Sequence, residues 1–255
     1  MLFNSIIFGP IKSRRLGISL GVNLLPIDAK VCSFECIYCE CGFNVVKKGM
    51  RIPTREEVYS EMEKTLAEMQ QKGEKLDVIT FAGNGEPTLH KDFEAIIDDT
   101  IALRNKYYPE TKISVLSNAT EVIKDSVFRA LNKVDNNILK LDSAIQTTVD
   151  SLDQPNSPHF TVEKLIENLK RFNGNLIVQT LFVRGEHNGK QIDNTAPKEI
   201  EAWLKALQEI KPKQVMIYSL ARPTPAEHLY KVSLEELNAI AEKVKDIGLE
   251  VSVSG

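Results

Sequence analysis

The chain has 255 residues, 42% of them hydrophobic and 26% charged, a globular composition that is neither disordered nor membrane-like. Its 32 lysines and arginines against 35 acidic residues leave a net charge of −3, which gives no general pull toward nucleic acid. No apolar run approaches the roughly 20 residues of a membrane-spanning helix, so no membrane partner is expected. The run MLFNSIIFGPIKSRR is apolar and then basic, the reverse of a secretory signal, and a cytoplasmic location is the expectation. At this length a single domain over 1–255 is the natural reading.

Residues 18–25 read as a first strand, ending at Pro26. A cysteine-rich loop follows. Thr54-Arg55-Glu56-Glu57 is a capping box, and Val58, Met62, Leu66 and Met69 form the apolar stripe of the helix it opens. Gly73 ends that helix. Residues 78–81 make a short apolar strand running into Gly83-Asn84-Gly85-Glu86-Pro87. Phe93, Ile96, Ile97 and Ile101 mark the next helix. Residues 113–116 are a third strand, ending at Ser117-Asn118, with a helix around Val127 and Leu131 behind it. A fourth strand covers 138–142. Val162, Leu165, Ile166 and Leu169 give another helix, and 176–183 a fifth strand. Thr195 with Pro197 starts the helix carrying Ile200, Trp203, Leu204 and Leu207. Residues 215–220 are a sixth strand. Ser233 to Glu236 is a second capping box, and 250–253 a closing strand.

Strand and helix alternate six times. Short apolar strands alternating with amphipathic helices imply parallel strands joined by helical crossovers, an α/β fold that is either barrel-like or a flat doubly wound sheet.

Three of the four cysteines fall within eight positions, Cys32, Cys36 and Cys39, spaced C-x3-C-x2-C. Clustered thiolates repel and oxidise, so such a loop points to a shared metal. A structural zinc wants four ligands, completed here by Cys41 or a distant His, but Cys39 and Cys41 form a tight C-x-C. A disulfide is less suited to one crowded loop in a long chain. An iron–sulfur cluster used only for electron transfer or redox sensing wants a fourth protein ligand as well. A 4Fe–4S cluster on three cysteines leaves one iron open to a small molecule. The four His residues, at 90, 159, 187 and 228, show no ligand spacing, and GxGxxG, P-loop and HExxH motifs are absent.

The C-x3-C-x2-C loop resembles that of the radical S-adenosylmethionine (SAM) superfamily. The resemblance implies that the open iron chelates SAM, and that an electron from the reduced cluster cleaves SAM to methionine and a 5′-deoxyadenosyl radical. It implies a partial (β/α)6 TIM-like barrel over nearly the whole chain, with the site at the C-terminal ends of the strands. A reducing partner such as a flavodoxin or ferredoxin is implied too. The basic residues Lys12, Arg14, Arg15, Lys47, Lys48 and Arg51 flank the cysteine loop; they are either solvated or suited to an acidic donor or a substrate phosphate.

The strand ends then supply candidate SAM contacts. Gly83, Gly85, Glu86 and Pro87 match the family's GGEP motif with Asn84 inserted; on residue types alone they are a tight turn entering a helix. Ser117 and Asn118 suit the ribose or carboxylate of SAM, or equally a helix cap. Lys140 and Asp142 lie on one side of the fourth strand, as an ion pair or against a ligand. The Gln179 amide needs a partner. Tyr218 and Leu220 end the sixth strand, a region that the family uses around adenine. Tyr38 occupies the aromatic position that packs near adenine, or simply fills the loop. Lys140, Asp142, Gln179 and Arg222 line the expected mouth, and no catalytic side chain is named.

The set GPIKSRRLGISLGVNLLP, the cysteine loop, GNGEPTLH and YSLARPTP is similar to the subgroup holding the archaeal wyosine-type tRNA-modifying synthases. Those carry extra cysteines before the motif. No cysteine precedes Cys32 here, and with a net charge of −3 a tRNA substrate is not favoured. Auxiliary SPASM-type clusters are not expected, since no C-terminal cysteine group follows.

Overall fold

A computed structural model describes residues 2–13, 16–45 and 47–254. Arg14 and Arg15, two of the basic residues singled out before the cysteine loop, lie outside the described residues. The chain divides into two compact units.

One unit comprises Met1–Cys32, Asn44–Ser117 and Glu121–Asn137. Its strands are β1 (Ile7–Ser13), β2 (Gly17–Val22), β3 (Val78–Phe81) and β4 (Lys112–Ser117), in that spatial order. β2, β3 and β4 are parallel, and β1 is an antiparallel edge on β2. The crossovers are helices α1 (Arg55–Gln71) and α2 (Phe93–Tyr107), with α3 (Asp125–Lys133) after β4. The Thr54 box opens α1 with both reciprocal bonds formed, and Val58, Met62, Leu66 and Met69 are its buried stripe. Gly73 follows its end with φ +67°. β3 is buried at all four positions, as a strand covered on both faces must be.

The other unit comprises Ser33–Phe43, Asn118–Thr120 and Ile138–Gly255. β5 (Asn136–Lys140) enters it at Ile138. Then come α4 (Gln146–Leu152), α5 (Val162–Lys170), β6 (Ile177–His187), β7 (Lys190–Asp193), α6 (Pro197–Ile210), β8 (Gln214–Ser219), β9 (Leu229–Lys231), α7 (Leu234–Asp246) and β10 (Val251–Ser254). β5, β6, β8 and β10 run parallel in that order. Trp203 of α6 donates to Thr180 Oγ1 at 3.0 Å and packs edge-on against Phe182, which turns Thr180 and Phe182 toward the helix. Gln179 and Leu181 therefore face the other side of the sheet.

The parallel α/β order expected from the sequence is present. Four elements were not expected. β1 holds a proline and a lysine, as edge strands often do, and reads poorly as a strand. α4 is seven residues with only Val149 and Leu152 buried, too short to show a stripe. β6 runs on to His187, and its polar second half is held by β7 on one side and β9 on the other. Three stripe positions shift: Ile101, Ile166 and Leu204 are half-buried, while Leu103, Ala206 and Ile210 are buried. Among the described residues no helix is long and apolar enough to cross a membrane.

Candidate active site

The cysteine loop begins where the first unit holds it most firmly. Val31 N–H donates to the Asn84 carbonyl at 2.9 Å, and Glu86 N–H donates back to the Val31 carbonyl at 3.1 Å. Between them sits Gly85 at φ +133°, where a Cβ would lie 1.8 Å from Val31 O. A Cβ on Gly83 would lie 2.4 Å from Asn23 Oδ1. The close approach these glycines permit is thus made by the chain's own backbone and by Asn23. Gly85 lets the stem of the cysteine loop dock on the turn after β3.

Asn44 brackets Cys32: its Oδ1 accepts from Cys32 N–H at 2.9 Å, and its Nδ2 donates to Cys32 O at 3.1 Å. Asn84, the residue inserted between the glycines, is fully buried and clamps Phe3 and Pro26 through its amide. From the sequence Asn84 is visible only as an insertion in the motif, and Asn44 is not singled out. An Asn in a loop carries no periodic signal, and only its partners reveal its role.

Glu86 is 2% exposed. Its Oε1 accepts from Thr88 N–H at 3.0 Å, Thr88 Oγ1 at 2.5 Å and Ser117 Oγ at 2.8 Å. Pro87 is buried at the start of a 3-10 turn, Pro87–Leu89. Ser117, at the end of β4, serves Glu86 directly. His90 is an ordinary core residue, its Nε2 2.7 Å from Pro53 O.

In the second unit Cys36 and Cys39 lie on a tight turn, with Cys39 N–H donating to Cys36 O at 3.1 Å. Cys36 is buried; Cys32, Cys39 and Cys41 are half-buried. The loop is tied to the end of α4 by Glu35 N–H to Asp153 O and Ile37 N–H to Leu152 O, both at 3.0 Å. Tyr38, between the two cysteines, is buried; its hydroxyl donates to Asp142 and lies 3.3 Å from Asp153 Oδ1. Lys140 Nζ sits 2.5 Å from Asp142 and 3.4 Å from Asp153, and 4.5 Å over the Tyr38 ring. Asp142 also accepts from Leu181 N–H at 2.9 Å. Burial opposes the Lys140 charge, but the Asp142 and Asp153 carboxylates outweigh it and hold the ammonium well above the usual lysine range. Burial pushes the Asp153 carboxyl up to about 7, with Lys140 pulling the other way.

Asn118 Nδ2 donates to Ser33 Oγ at 2.8 Å, and its Oδ1 accepts from the backbone and hydroxyl of Thr120, a local turn; the next helix, α3, starts after Lys124, so Asn118 does not cap it. Gln179 is 9% exposed and in register with Lys140, so both face the same side of the sheet. Tyr218 and Leu220 are half-buried at the end of β8. Arg222 pairs instead with Glu40 at 2.5 Å on an exposed surface. Lys47 and Arg51 pair with Asp28 and Glu57 in the same way.

A family model described as the radical SAM superfamily matches residues 27–196, two thirds of the chain and the whole stretch just described from the cysteine loop to β6. The chain belongs to the radical SAM superfamily. Members of this superfamily are enzymes that use a 4Fe–4S cluster and SAM. It is 30% identical to a UPF0026 protein of Synechocystis over 87% of this chain and 77% of that one. It is 29% identical to a Brachyspira hyodysenteriae protein named GTPase Obg, over 91% of this chain but only 32% of that protein. The chain thus spans about a third of that relative, and it has no P-loop.

Among solved structures it is similar to a radical SAM methyltransferase from Sphaerobacter thermophilus: TM-score 0.67, 16% identity, 92% of this chain and 65% of that one. Streptococcus suis SuiB bound to SAM matches at TM-score 0.64 and 17% identity, over 92% of this chain and 50% of that one. The wyosine-type TYW1, solved with a lysine-pyruvate adduct, matches at 0.62 and 12%, over 89% and 73%. These likenesses show the fold, the α/β partial (β/α)6 type with mostly parallel strands.

The residues suit the cluster by their donor chemistry: three soft thiols on one short loop, its stem held by Asn44 and by the Gly85 docking. Among the described residues no group of three or more His, Cys, Asp or Glu side chains is drawn together as a ready-made metal site. The ligand assignment therefore rests on thiol chemistry and spacing.

Proposed function

We propose that Cys32, Cys36 and Cys39 hold a 4Fe–4S cluster in a single radical SAM domain, and that the enzyme abstracts hydrogen from its substrate. When bound, the cluster supplies the electron that splits SAM into methionine and a 5′-deoxyadenosyl radical. The observation that carries the reading is the C-x3-C-x2-C loop anchored at Cys32 by both amide atoms of Asn44. Three thiols at this spacing leave the fourth coordination position to SAM.

The chain's part is to bind and orient SAM and to keep water from the radical. Gly83, Gly85, Glu86 and Pro87 present backbone and a fixed carboxylate to the SAM amino group, and Ser117 holds Glu86 in place. Asn118 and Asp142 bound the ribose side; Tyr38, Tyr218 and Leu220 bound the adenine. Gln179, in register with Lys140 and on the same face of the sheet, is placed as a further ligand contact. The electron comes from a reducing partner such as flavodoxin or ferredoxin in the cytoplasm. A tRNA substrate is disfavoured by the net charge of −3.

The test is anaerobic reconstitution with iron and sulfide counts, then dithionite reduction with SAM present. Appearance of 5′-deoxyadenosine is expected. Its absence from a fully loaded, reduced sample overturns the reading.

A further inference from the structure

The second unit contains an ionic cluster that shares Asp142 and Tyr38 with the proposed SAM contacts and adds two groups, Lys140 and Asp153, that the reading above leaves without a role. Lys140 is held by Asp142 and Asp153, caps the Tyr38 ring, and its side chain is only 16% exposed. Buried ion pairs are poor stabilisers: well-packed apolar residues of the same volume usually serve as well or better. Stability therefore gives no reason for this group to sit here.

Its position does. The Asp153 carbonyl receives the Glu35 N–H at 3.0 Å, and Leu152 beside it receives the Ile37 N–H at 3.0 Å, so Asp153 is fixed against the two neighbours of Cys36. Lys140 Nζ lies 4.5 Å over the ring of Tyr38, two residues from Cys36, and Cys36 and Tyr218 add to the carboxylates in favouring its charge. The charged and titratable groups around the ammonium are thus Asp142, Asp153, Tyr38, Tyr218 and Cys36. One cation is set beside a proposed cluster ligand, in a site where burial weakens solvent screening.

We propose that Lys140 raises the reduction potential of the cluster that Cys36 helps to hold, and that Asp142 limits the rise. The inference rests on the ligand reading above. One electron passes from an external low-potential reductant to the cluster, making it more negative by one unit; no bond forms or breaks. Lys140 stabilises that added charge. Removing it leaves the neighbouring carboxylates uncompensated and disfavours reduction, whereas neutralising Asp142 has the opposite sign. Lys140 and Asp142 act as positioning residues here, through the field they set at Cys36.

The experiment is a redox titration of reconstituted protein without SAM, with dithionite and mediator dyes, read by the EPR signal of the reduced cluster. At the potential where the natural protein is half reduced, Lys140→Met is expected to show at least a tenfold lower reduced-to-oxidised ratio, equal to 59 mV for one electron. Asp142→Asn is expected to shift the other way, and Lys140→Arg to stay within threefold. Midpoints that coincide, or that move in the same direction for Lys140→Met and Asp142→Asn, overturn the inference. If Lys140→Met does not fold, Asp142→Asn decides alone, since the amide keeps an acceptor for Leu181 N–H. Failure of the natural protein to load a cluster, or to cleave SAM once loaded, sinks the ligand reading instead and is seen before any variant is titrated.

Discussion

Lys140 Nζ lies 2.5 Å from Asp142 Oδ2, Lys140 being the last residue of β5 and Asp142 standing two positions beyond it. The short separation lets the side chains meet, and burial then leaves each with a strong need for the other. The pair is an internal one. Asp142 is further engaged by Tyr38 and by Leu181 N–H.

Breaking that pair from one side leaves a buried charge alone. Lys140→Ala is expected to destabilise the apo protein by about 3–5 kcal/mol. Replacing both members together, Lys140→Met with Asp142→Leu, is expected to recover most of the loss. Anaerobic denaturant unfolding of the singles and the double measures the coupling. A double variant as unstable as the sum of the singles contradicts this account.

The ligand assignment separates the four cysteines. Alanine at Cys32, Cys36 or Cys39 is expected to reduce bound iron from about four per chain to a small residue, since a cubane missing an anchor is labile. Cys41→Ala is expected to retain the full complement. Iron and sulfide counts with visible absorption decide it. Loss of the cluster in Cys41→Ala points to a four-cysteine site without an open iron.

Gly85 carries a different burden. An alanine Cβ would lie 1.8 Å from the Val31 carbonyl, at a φ of +133° that side chains rarely adopt. The strain alone is on the order of 1–3 kcal/mol. For a chain of this size a thermal midpoint falls by roughly 2–4 °C per kcal/mol. The clash also displaces the stem before Cys32, so Gly85→Ala is expected to load less iron as well. A variant with unaltered melting and loading rules out the docking role.

Acid stability follows from two surface carboxylates. Hydrogen bonds from Arg129 hold Glu94 down to about 2, and those from Arg184 and Ser233 do the same for Glu236. An ordinary glutamate titrates at 4.5. Between those values the unfolded chain binds more protons than the folded one. Stability from these pairs is therefore whole above about 4.5 and is lost as pH falls toward about 2. Both groups are solvent-exposed, so salt weakens the effect. Thermal midpoints taken through this acid range should fall less steeply in Glu94→Gln and Glu236→Gln. Identical profiles in both variants refute the assignment.

Much of this was legible in the residues. Capping boxes at Thr54 and Ser233, the Val58–Met62–Leu66–Met69 stripe and the apolar strand 78–81 all formed as read, because each depends on neighbours within a few positions. β7 and β9 were not legible. They exist because β6 overruns its apolar half, and their pairing joins residues up to 48 positions apart, as between Val183 and Lys231. The glycines of GNGEP were visible as a tight turn, but the atom each makes room for was not.

Local spacing pointed to a shared metal, and its resemblance to a family motif to the candidate chemistry: three thiols within eight residues, and a turn motif at a strand end. That information is one-dimensional, since a metal's ligands on one loop are set by the count of residues between them. Tertiary structure decided which side chains support them. Asn44 at Cys32, Val31 against Gly85, and Asp153 beside Cys36 are contacts between segments 12 to 117 residues apart, and only folding brings their polar groups within reach of each other.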